Sequence, residues 1–404
     1  MSKKSWLRFL ALLGALALMT AACGGDDEDE PGAGGDGGDQ IDCTWAIGTL
    51  GALSGDFASL GLPISEGVEF AINEANDAGD VPCELEYVAE DSQGSPDQAP
   101  QLAQSLVETE NLVGIAGPYF SGETLATGDI FTQANVVFSG TGTNETIDEQ
   151  EFESWYRAVA PDNVQAEVAA AYLEEGLGAQ KVAVMHDNQD YSKGLADGVL
   201  DNLTVEAQGG FIINPEETDY SAVVSEVADY GPDTVYYGGY TPQAGPLLQQ
   251  LREAGVDVQF LSGDGSKDPS FGELAGAQAA EGAQVTCPCT DPLKQEAASA
   301  FVEGMQAEYG ENAPGTFAAD MYDVTNFMID ALRELNGDEP IEEVRQHVID
   351  HFENAEGLEG VAKTYTWDDT GEFEGGPEDI WIYEWSNADE NFISIGPASE
   401  ELGE

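Results

Sequence analysis

Short runs of β-branched and apolar residues alternate with stretches of helical periodicity over most of the chain. This alternation predicts βα units and parallel sheets, because each strand must be covered by the helix that follows it. The pattern predicts nine strands up to residue 287: Trp45–Leu50, Leu85–Ala89, Leu112–Ala116, Val136–Ser139, Val182–His186, Phe211–Asn214, Thr234–Tyr237, Gln259–Ser262 and Gln284–Cys287.

The segments between these strands carry apolar residues three and four apart. In Pro63–Ala75 the apolar positions form a single stripe on a helix and do not alternate as in a strand. The same spacing predicts further helices at Asp97–Glu108, Gly122–Gln133, Val164–Glu175, Gly194–Ala207, Ser221–Tyr230, Gln243–Ala254, Gln295–Tyr309, Phe317–Leu335 and Ile341–Phe352. The chain closes with predicted strands at Thr364–Trp367, Ile380–Trp385 and Phe392–Ile395, with a turn at 368–371 after the first.

The alternation of strands and helices is interrupted twice, and these interruptions predict two lobes. A strand-like piece ends at Pro161 before a fresh βα series, and residues 287–292 lead into helices that have no strands of their own to cover. We predict that 44–160 and 290–363 build the first lobe and that 161–289 begins the second, with 364–404 supplying a crossover, the last strands of the second lobe and an acidic tail. Repeated exchange of the chain between lobes implies a hinge and a cleft.

The N-terminal residues predict export. Residues 1–22 have a basic start and an apolar stretch too short to span a membrane and remain there, which is the pattern of a secretory signal. The junction before Cys23 resembles a bacterial lipoprotein signal, with Thr20 in place of the usual leucine, and this resemblance implies a lipid anchor on Cys23 outside the cytoplasm. An ordinary cleaved signal and an uncleaved anchor are the alternatives. Residues 23–43, rich in Gly, Asp and Glu, are a predicted flexible tether.

Charge excludes several partners. The chain has 78 Asp and Glu against 12 Lys and Arg, a formal net charge of −66, and three of the basic residues lie in the leader. Such a surface repels nucleic acid and anionic lipid headgroups, and it offers no basic patch for either. A salty or acid-tolerant setting accounts for the acid load without any acid-specific function.

Four cysteines remain after Cys23, and an oxidising compartment favours disulfides among them. Cys43 starts the first predicted strand and Cys83 precedes the second, so the two thiols can meet if those strands are neighbours. That pairing would leave Cys287 and Cys289 to each other, although the short ring leaves reduced thiols open. A four-cysteine zinc site is disfavoured, because Cys43 and Cys83 lack a Cys-x-x-Cys spacing.

Three motifs, in order, carry a resemblance to a known family. They are residues 51–58 (GALSGDFA), 186–194 (HDNQDYSKG) and 235–240 (VYYGGY). The chain resembles the periplasmic leucine/isoleucine/valine-binding proteins from about Trp45 to Ile395. The resemblance implies the type I solute-binding fold, with two Rossmann-like α/β lobes, parallel sheets and a three-crossover hinge. It also implies a monomer without a cofactor, which clamps an amino acid for the permease and ATPase of an ABC importer.

The resemblance also implies a set of ligand contacts. Ser121, Thr141 and Thr143 match the segments that bind the ligand's carboxylate, and Asp264 matches the acid that pairs with its ammonium. The other matched cleft positions are Tyr119, Phe120, Gly142, Tyr191, Tyr240 and Phe317, with Tyr322 a weaker match that core packing explains better. The roles suit a zwitterion, which needs hydroxyls and helix-start amides, a fixed anion and apolar walls. Without the resemblance, Ser121 is equally well interpreted as a helix N-cap, Asp264 as a turn residue and Phe317 as a core residue.

Departures from the family pattern indicate a reshaped pocket. Leu60 stands where well-known relatives have tyrosine, and Tyr119 and Phe120 replace smaller or aliphatic residues. Asp264 is one methylene shorter than the usual glutamate, which requires a deeper ligand or a bridging water. A branched aliphatic ligand fits, while an aromatic or polar amino acid, or an amide such as urea, stays open.

Enzyme interpretations lack their usual motifs. Outside the glycine-rich tether, the chain contains no Gly-x-Ser-x-Gly elbow, phosphate-binding loop or Gly-x-Gly-x-x-Gly fingerprint. His347 and His351 share a helix face and suggest a metal-dependent enzyme, but a solvated face is favoured because no third ligand is recognisable. A sensor that signals to a membrane receptor is the alternative to transport.

Overall fold

Five parallel strands form the first sheet of the computed structural model, which describes residues 43–403. They are β1 (Thr44–Gly51), β2 (Glu84–Asp91), β3 (Leu112–Ala116), β4 (Val137–Gly140) and β5 (Trp155–Arg157). Their order is β2-β1-β3-β4-β5. The inner strand β3 is buried at every position, as expected for a parallel strand covered on both faces, whereas the edge strand β2 is mostly exposed or half-buried.

The second sheet has seven strands and is completed by the end of the chain. Its first five strands are β6 (Lys181–His186), β7 (Glu206–Ile212), β8 (Thr234–Tyr237), β9 (Gln259–Ser262) and β10 (Gln284–Cys287). After a short pair, β11 (Leu358–Glu359) and β12 (Thr364–Tyr365), come β13 (Trp381–Ser386) and β14 (Asn391–Pro397). The order is β14-β13-β10-β9-β8-β6-β7, and only β13 and β14 run antiparallel to their neighbours.

The helices pack on these two sheets and define two lobes. In chain order they are α1 (Ala58–Ala78), α2 (Ala99–Val107), α3 (Ser121–Gln133), α4 (Asp162–Ala171), α5 (Asp190–Asn202), α6 (Ser221–Tyr230), α7 (Thr241–Glu253), α8 (Phe271–Ala275), α9 (Ala277–Ala280), α10 (Ser299–Tyr309), α11 (Ala318–Arg333), α12 (Ile341–Glu353) and α13 (Ala398–Leu402). Helix α11 packs along α1 and α12 packs on β3, so these late helices lie on the first sheet. We call the first sheet with α1–α3 and α10–α12 the first lobe, and the second sheet with α4–α9 and α13 the second lobe.

The chain passes between the lobes in three segments, at 158–161, 288–298 and 366–380. The predicted α/β class with two parallel sheets is confirmed. The leader, Cys23 and the tether lie outside the described residues.

The structure corrects several predicted boundaries. Helix α5 ends at Asn202, and β7 begins at Glu206, where the sequence pattern predicted continued helix to Ala207. Strand β7 is a mostly solvent-exposed edge strand with two central glycines, so its apolar signal is weak. Helix α10 begins at Ser299, because single 3₁₀ turns occupy 292–294 and 296–298. The acidic tail contains the short helix α13.

Candidate functional site

A cavity lies between the lobes, at the carboxyl ends of strands from both sheets. This is where open α/β sheets bind ligands. Nine of the ten predicted ligand residues line it: Tyr119, Phe120, Ser121, Thr141, Thr143, Tyr191, Tyr240, Asp264 and Phe317. Leu60, Ile64 and Gly265 complete the wall. Gly142 does not line the cavity, and its carbonyl instead accepts a hydrogen bond from Arg157.

The first lobe brings a helix N-terminus and three hydroxyl groups to the cavity. Phe120 is extended (φ −114°, ψ 150°), and Ser121 begins α3, so the unpaired amides of the first turn are close at hand. Ser121 Oγ accepts from the Asn144 backbone N–H (3.1 Å), which leaves the hydroxyl proton to donate. Thr141 differs, because its hydroxyl already donates to the Tyr119 carbonyl (2.7 Å) and can only accept from a ligand.

The second lobe presents a buried acid held by a tyrosine. The Tyr191 hydroxyl donates to Asp264 Oδ1 (2.9 Å) and accepts from the Gly265 backbone N–H (2.9 Å). The Tyr191 ring lies against that of Tyr240, with centroids 4.8 Å apart. These contacts fix Asp264 at the cavity wall, where the residue is 5% exposed.

Burial raises the pKa of Asp264 to about 6, while hydrogen bonds from Tyr191 and Gln165 and the positive charge of Lys267 partly oppose this rise. At neutral pH the residue is therefore a desolvated carboxylate. A buried anion of this kind favours a ligand that brings a positive charge and hydrogen-bond donors.

A second buried acid, Asp162, was missed by the sequence analysis. It is 2% exposed, its backbone N–H donates to the Thr143 carbonyl (2.7 Å), and its two carboxylate oxygens have no hydrogen-bond partner among the described residues. Burial and the negative charge of Asp264 raise the pKa of Asp162 well above its usual range. Asp162 thus favours the neutral form beside a charged Asp264. In the sequence it looks like an ordinary helix start after Pro161, so only its position next to Thr143 identifies it.

Side chains of the two lobes meet around the cavity. Phe57 of the first lobe, another residue that the sequence analysis missed, packs edge-on against Tyr240 of the second, with centroids 5.3 Å apart, and Phe120 also lies 5.3 Å from Tyr240. The side chain of Asn144 donates to the Asp190 carbonyl (2.7 Å) across the cleft. The structure therefore shows the lobes closed on each other.

Arg157 anchors the loop that carries Thr141 and Thr143. The side chain is fully buried, forms a two-nitrogen contact with Glu372 (2.7 and 2.9 Å to Oε1) and donates to the carbonyls of Gly142 and Asn144. Since Glu372 lies in the third crossover segment, Arg157 joins the ligand loop to the hinge.

The remaining candidate sites lie away from the cavity. The sulfur atoms of Cys43 and Cys83 are 2.00 Å apart, and those of Cys287 and Cys289 are 1.98 Å apart. His347 lies 3.2 Å from Glu334, and within residues 43–403 no three His, Cys, Asp or Glu side chains form a group that could hold a metal ion. Tyr322 donates to Glu74 (2.6 Å), away from the cleft. Among the helices that the structure describes, none has both the length and the apolar character to cross a bilayer.

Comparison with known proteins decides the family. The sequence profile of the periplasmic binding protein family matches residues 44–390. The chain belongs to this family. The resemblance and the type I fold predicted from the motifs are therefore confirmed.

Several periplasmic binding proteins are similar over most of their length. The chain is 28% identical to an amino acid binding protein of Pseudomonas aeruginosa over 350 residues, 84% of this chain and 90% of the relative. It is equally identical, with the same coverage, to the Leu/Ile/Val-binding protein of Escherichia coli. The leucine binding protein LivK of Thermotoga maritima has the same fold, with a TM-score of 0.78 and 24% identity over 87% of this chain and 99% of that one. LivJ of Streptococcus pneumoniae, solved with isoleucine, has a TM-score of 0.76, again with 24% identity over 87% of this chain and 99% of that one.

Proposed function

We propose that this periplasmic binding protein clamps one amino acid with an apolar side chain between its lobes and presents it to the permease of an ABC importer. The observation that carries the proposal is the division of chemistry across one cavity. Ser121 and the N-terminus of α3 offer donors on the first lobe, and the Asp264 carboxylate is buried on the second. A zwitterion satisfies both sides at once, because its carboxylate accepts from the donors and its ammonium pairs with the anion.

The walls of the cavity support an aliphatic side chain. Leu60, Ile64 and Phe317 form an apolar surface along the cavity. Relatives named for leucine, or for leucine, isoleucine and valine, support the same class. The proposed action is a shift of population. A ligand that touches both lobes binds the closed form better than the open one and so favours closure, with no covalent chemistry.

We further propose that the lipidated Cys23 and the acidic tether keep the protein beside its permease as a monomer. The secretory pattern of residues 1–22 and the small residues before Cys23 support this placement.

Calorimetric titration with the twenty L-amino acids tests the ligand class. The protein is first unfolded and refolded to remove any retained ligand. We expect one-to-one binding of one or a few apolar L-amino acids. Two leucine analogues sharpen the test, since 4-methylpentanoate lacks the ammonium, 3-methylbutylamine lacks the carboxylate, and neither should bind measurably. No heat from any amino acid, with native circular dichroism restored, would contradict the proposal.

Affinity should depend on pH through Asp264. The ammonium binds the carboxylate form, and the pKa of the free protein's Asp264 is about 6. Affinity is therefore expected to change little between pH 7 and 7.5 and to fall below pH 6, approaching about tenfold per pH unit. Titrations at pH 5, 6 and 7.5 measure this. Glu123→Gln is the matched control, because burial raises the pKa of Glu123 to about 7 beside Phe120. The dependence should persist in that variant, and a flat profile in the parent would contradict the role of Asp264.

A further inference from the structure

Lys267 lies where the two lobes meet, a boundary that we call the seam. It is beside the cavity and not among the residues that line it. It directly follows the 3₁₀ turn Asp264–Ser266 of the second lobe, and Thr316 precedes α11 of the first lobe. The Thr316 hydroxyl donates to the Lys267 carbonyl (2.8 Å) and accepts from the Lys267 ammonium (3.2 Å). One hydroxyl thus binds both the backbone and the side chain of the same residue across the seam.

Charged and aromatic groups surround Lys267. Four carboxylates act on the pKa of its ammonium through their charge: Asp264 and Asp268 from its own segment, Asp291 from the second crossover segment and Asp320 from α11 of the first lobe. The ammonium also lies over the Tyr383 ring, 4.3 Å from the centroid. In a chain with a formal charge of −66, closure brings acidic lobes together, and a cation on the seam offsets their repulsion.

The ammonium form persists at neutral pH. Burial lowers the pKa of Lys267 to about 8, and the four carboxylates act in the opposite direction. The positive charge on the seam is therefore present under ordinary conditions. Hydrogen bonds to charged groups contribute more to stability than hydrogen bonds between neutral groups.

Both partners of the Lys267–Thr316 contact are close in sequence to residues that line the cavity. Lys267 is three residues from Asp264, and Thr316 is next to Phe317, both of which line the cavity. Phe317 has φ 62°, which is uncommon for an aromatic residue and needs surrounding contacts to hold it. Opening the lobes must break the Lys267–Thr316 contact and release the two cavity walls together.

We propose that Lys267 and Thr316 form a clasp that stabilises the closed arrangement of the lobes, in the ligand-free protein as well as in the complex, and so slows the release of a bound amino acid. The effect on release rests on the proposed function. The effect on the lobes does not depend on it.

Small-angle X-ray scattering of the ligand-free protein at low salt tests whether the Lys267–Thr316 contact stabilises the closed lobes. Lys267→Met removes the ammonium but keeps the stem, and Thr316→Val removes the hydroxyl at similar volume. Each variant should have a larger radius of gyration than the parent. Lys181→Met is the matched control, because the Lys181 ammonium also lies over a tyrosine ring, that of Tyr230 (4.2 Å), and pairs with Glu206 (3.1 Å), but within the second lobe alone. It should scatter like the parent.

Stopped-flow release of L-leucine gives the second readout. Both seam variants should release it about tenfold faster or more, with association rates within about twofold of the parent. The combined variant should release it about as fast as Thr316→Val, because Thr316→Val already removes both hydrogen bonds of the contact, whereas Lys267→Met leaves the bond to the Lys267 carbonyl. If Lys267→Met fails to fold, as judged by its melting temperature, Thr316→Val carries the test.

Scattering curves identical to the parent overturn the clasp. If L-leucine does not bind the parent, the ligand proposal fails for leucine, while the scattering result still decides the clasp.

Discussion

Asp264→Asn is expected to lower affinity for the amino acid about 100-fold or more and to leave the ligand-free protein at least as stable as the parent. Removing one partner of a buried charge pair typically costs 2–5 kcal/mol of binding free energy, because the ligand's ammonium loses its anion. Asparagine has the same shape and can still accept from Tyr191, so packing is preserved.

The stability of this variant follows from the sign of the pKa shift. Burial raises the pKa of Asp264 from 3.8 to about 6, so between these values the folded protein binds more protons than the unfolded chain. Stability of the ligand-free protein therefore falls as pH rises through this window, and at neutral pH the charged side chain costs about 3 kcal/mol. An uncharged residue removes that cost.

Calorimetry and thermal melting at pH 7.5 measure both effects. Asp323→Asn is the matched control, because Asp323 is also buried, with a pKa that burial raises to about 7, but does not line the cavity. It should bind like the parent. Parent-like binding by Asp264→Asn, or a collapse of its folding, would show that Asp264 is a structural turn residue.

Arg157→Met is expected to lower the free energy of unfolding by about 3–5 kcal/mol, because it leaves buried groups without a partner. The side chain of Glu372 is 14% exposed, and the Gly142 and Asn144 carbonyls both point at the lost guanidinium. Since the loop with Thr141 and Thr143 loses its anchor, affinity for the amino acid should fall as well.

Urea unfolding followed by tryptophan fluorescence gives the stability change. Arg333→Met is the control, since Arg333 pairs with Asp80 (3.0 Å) and Asp330 but has a side chain that is 31% exposed. Exposed ion pairs contribute about 0–1 kcal/mol. An Arg157→Met variant that is no less stable than Arg333→Met would contradict the role of Arg157 as a link between loop and hinge.

Much of the fold could be predicted because buried parallel strands read as continuous apolar runs. Strands β3, β8, β9 and β10 have the predicted boundaries. The strand β7 was placed too late because an exposed edge strand needs no apolar run, and Val205 and Ala207 continued the helical spacing of α5. The spacing of apolar residues predicts a strand only where the tertiary structure buries that strand.

The functional site, like the fold, could be predicted from the sequence only in part. Most of the cavity residues lie shortly after strands, and the resemblance had assigned nine of them to the ligand site. The structure gives Thr141 an acceptor's role, which motif comparison could not foresee, because its proton goes to the Tyr119 carbonyl. Asp162, Arg157 and Lys267 could not be recognised from the sequence, since their neighbours Thr143, Glu372 and Thr316 come from distant segments or across a lobe boundary.

A crystal structure of the protein with its ligand retained would show whether Asp264 pairs with the ammonium of a bound amino acid. We expect density for one amino acid between the lobes, with its nitrogen at hydrogen-bond distance from the Asp264 carboxylate, or one water away. The ligand's carboxylate should contact Ser121 and the first turn of α3. A ligand without an ammonium group, or one that makes no direct or water-bridged contact with Asp264, would contradict this expectation.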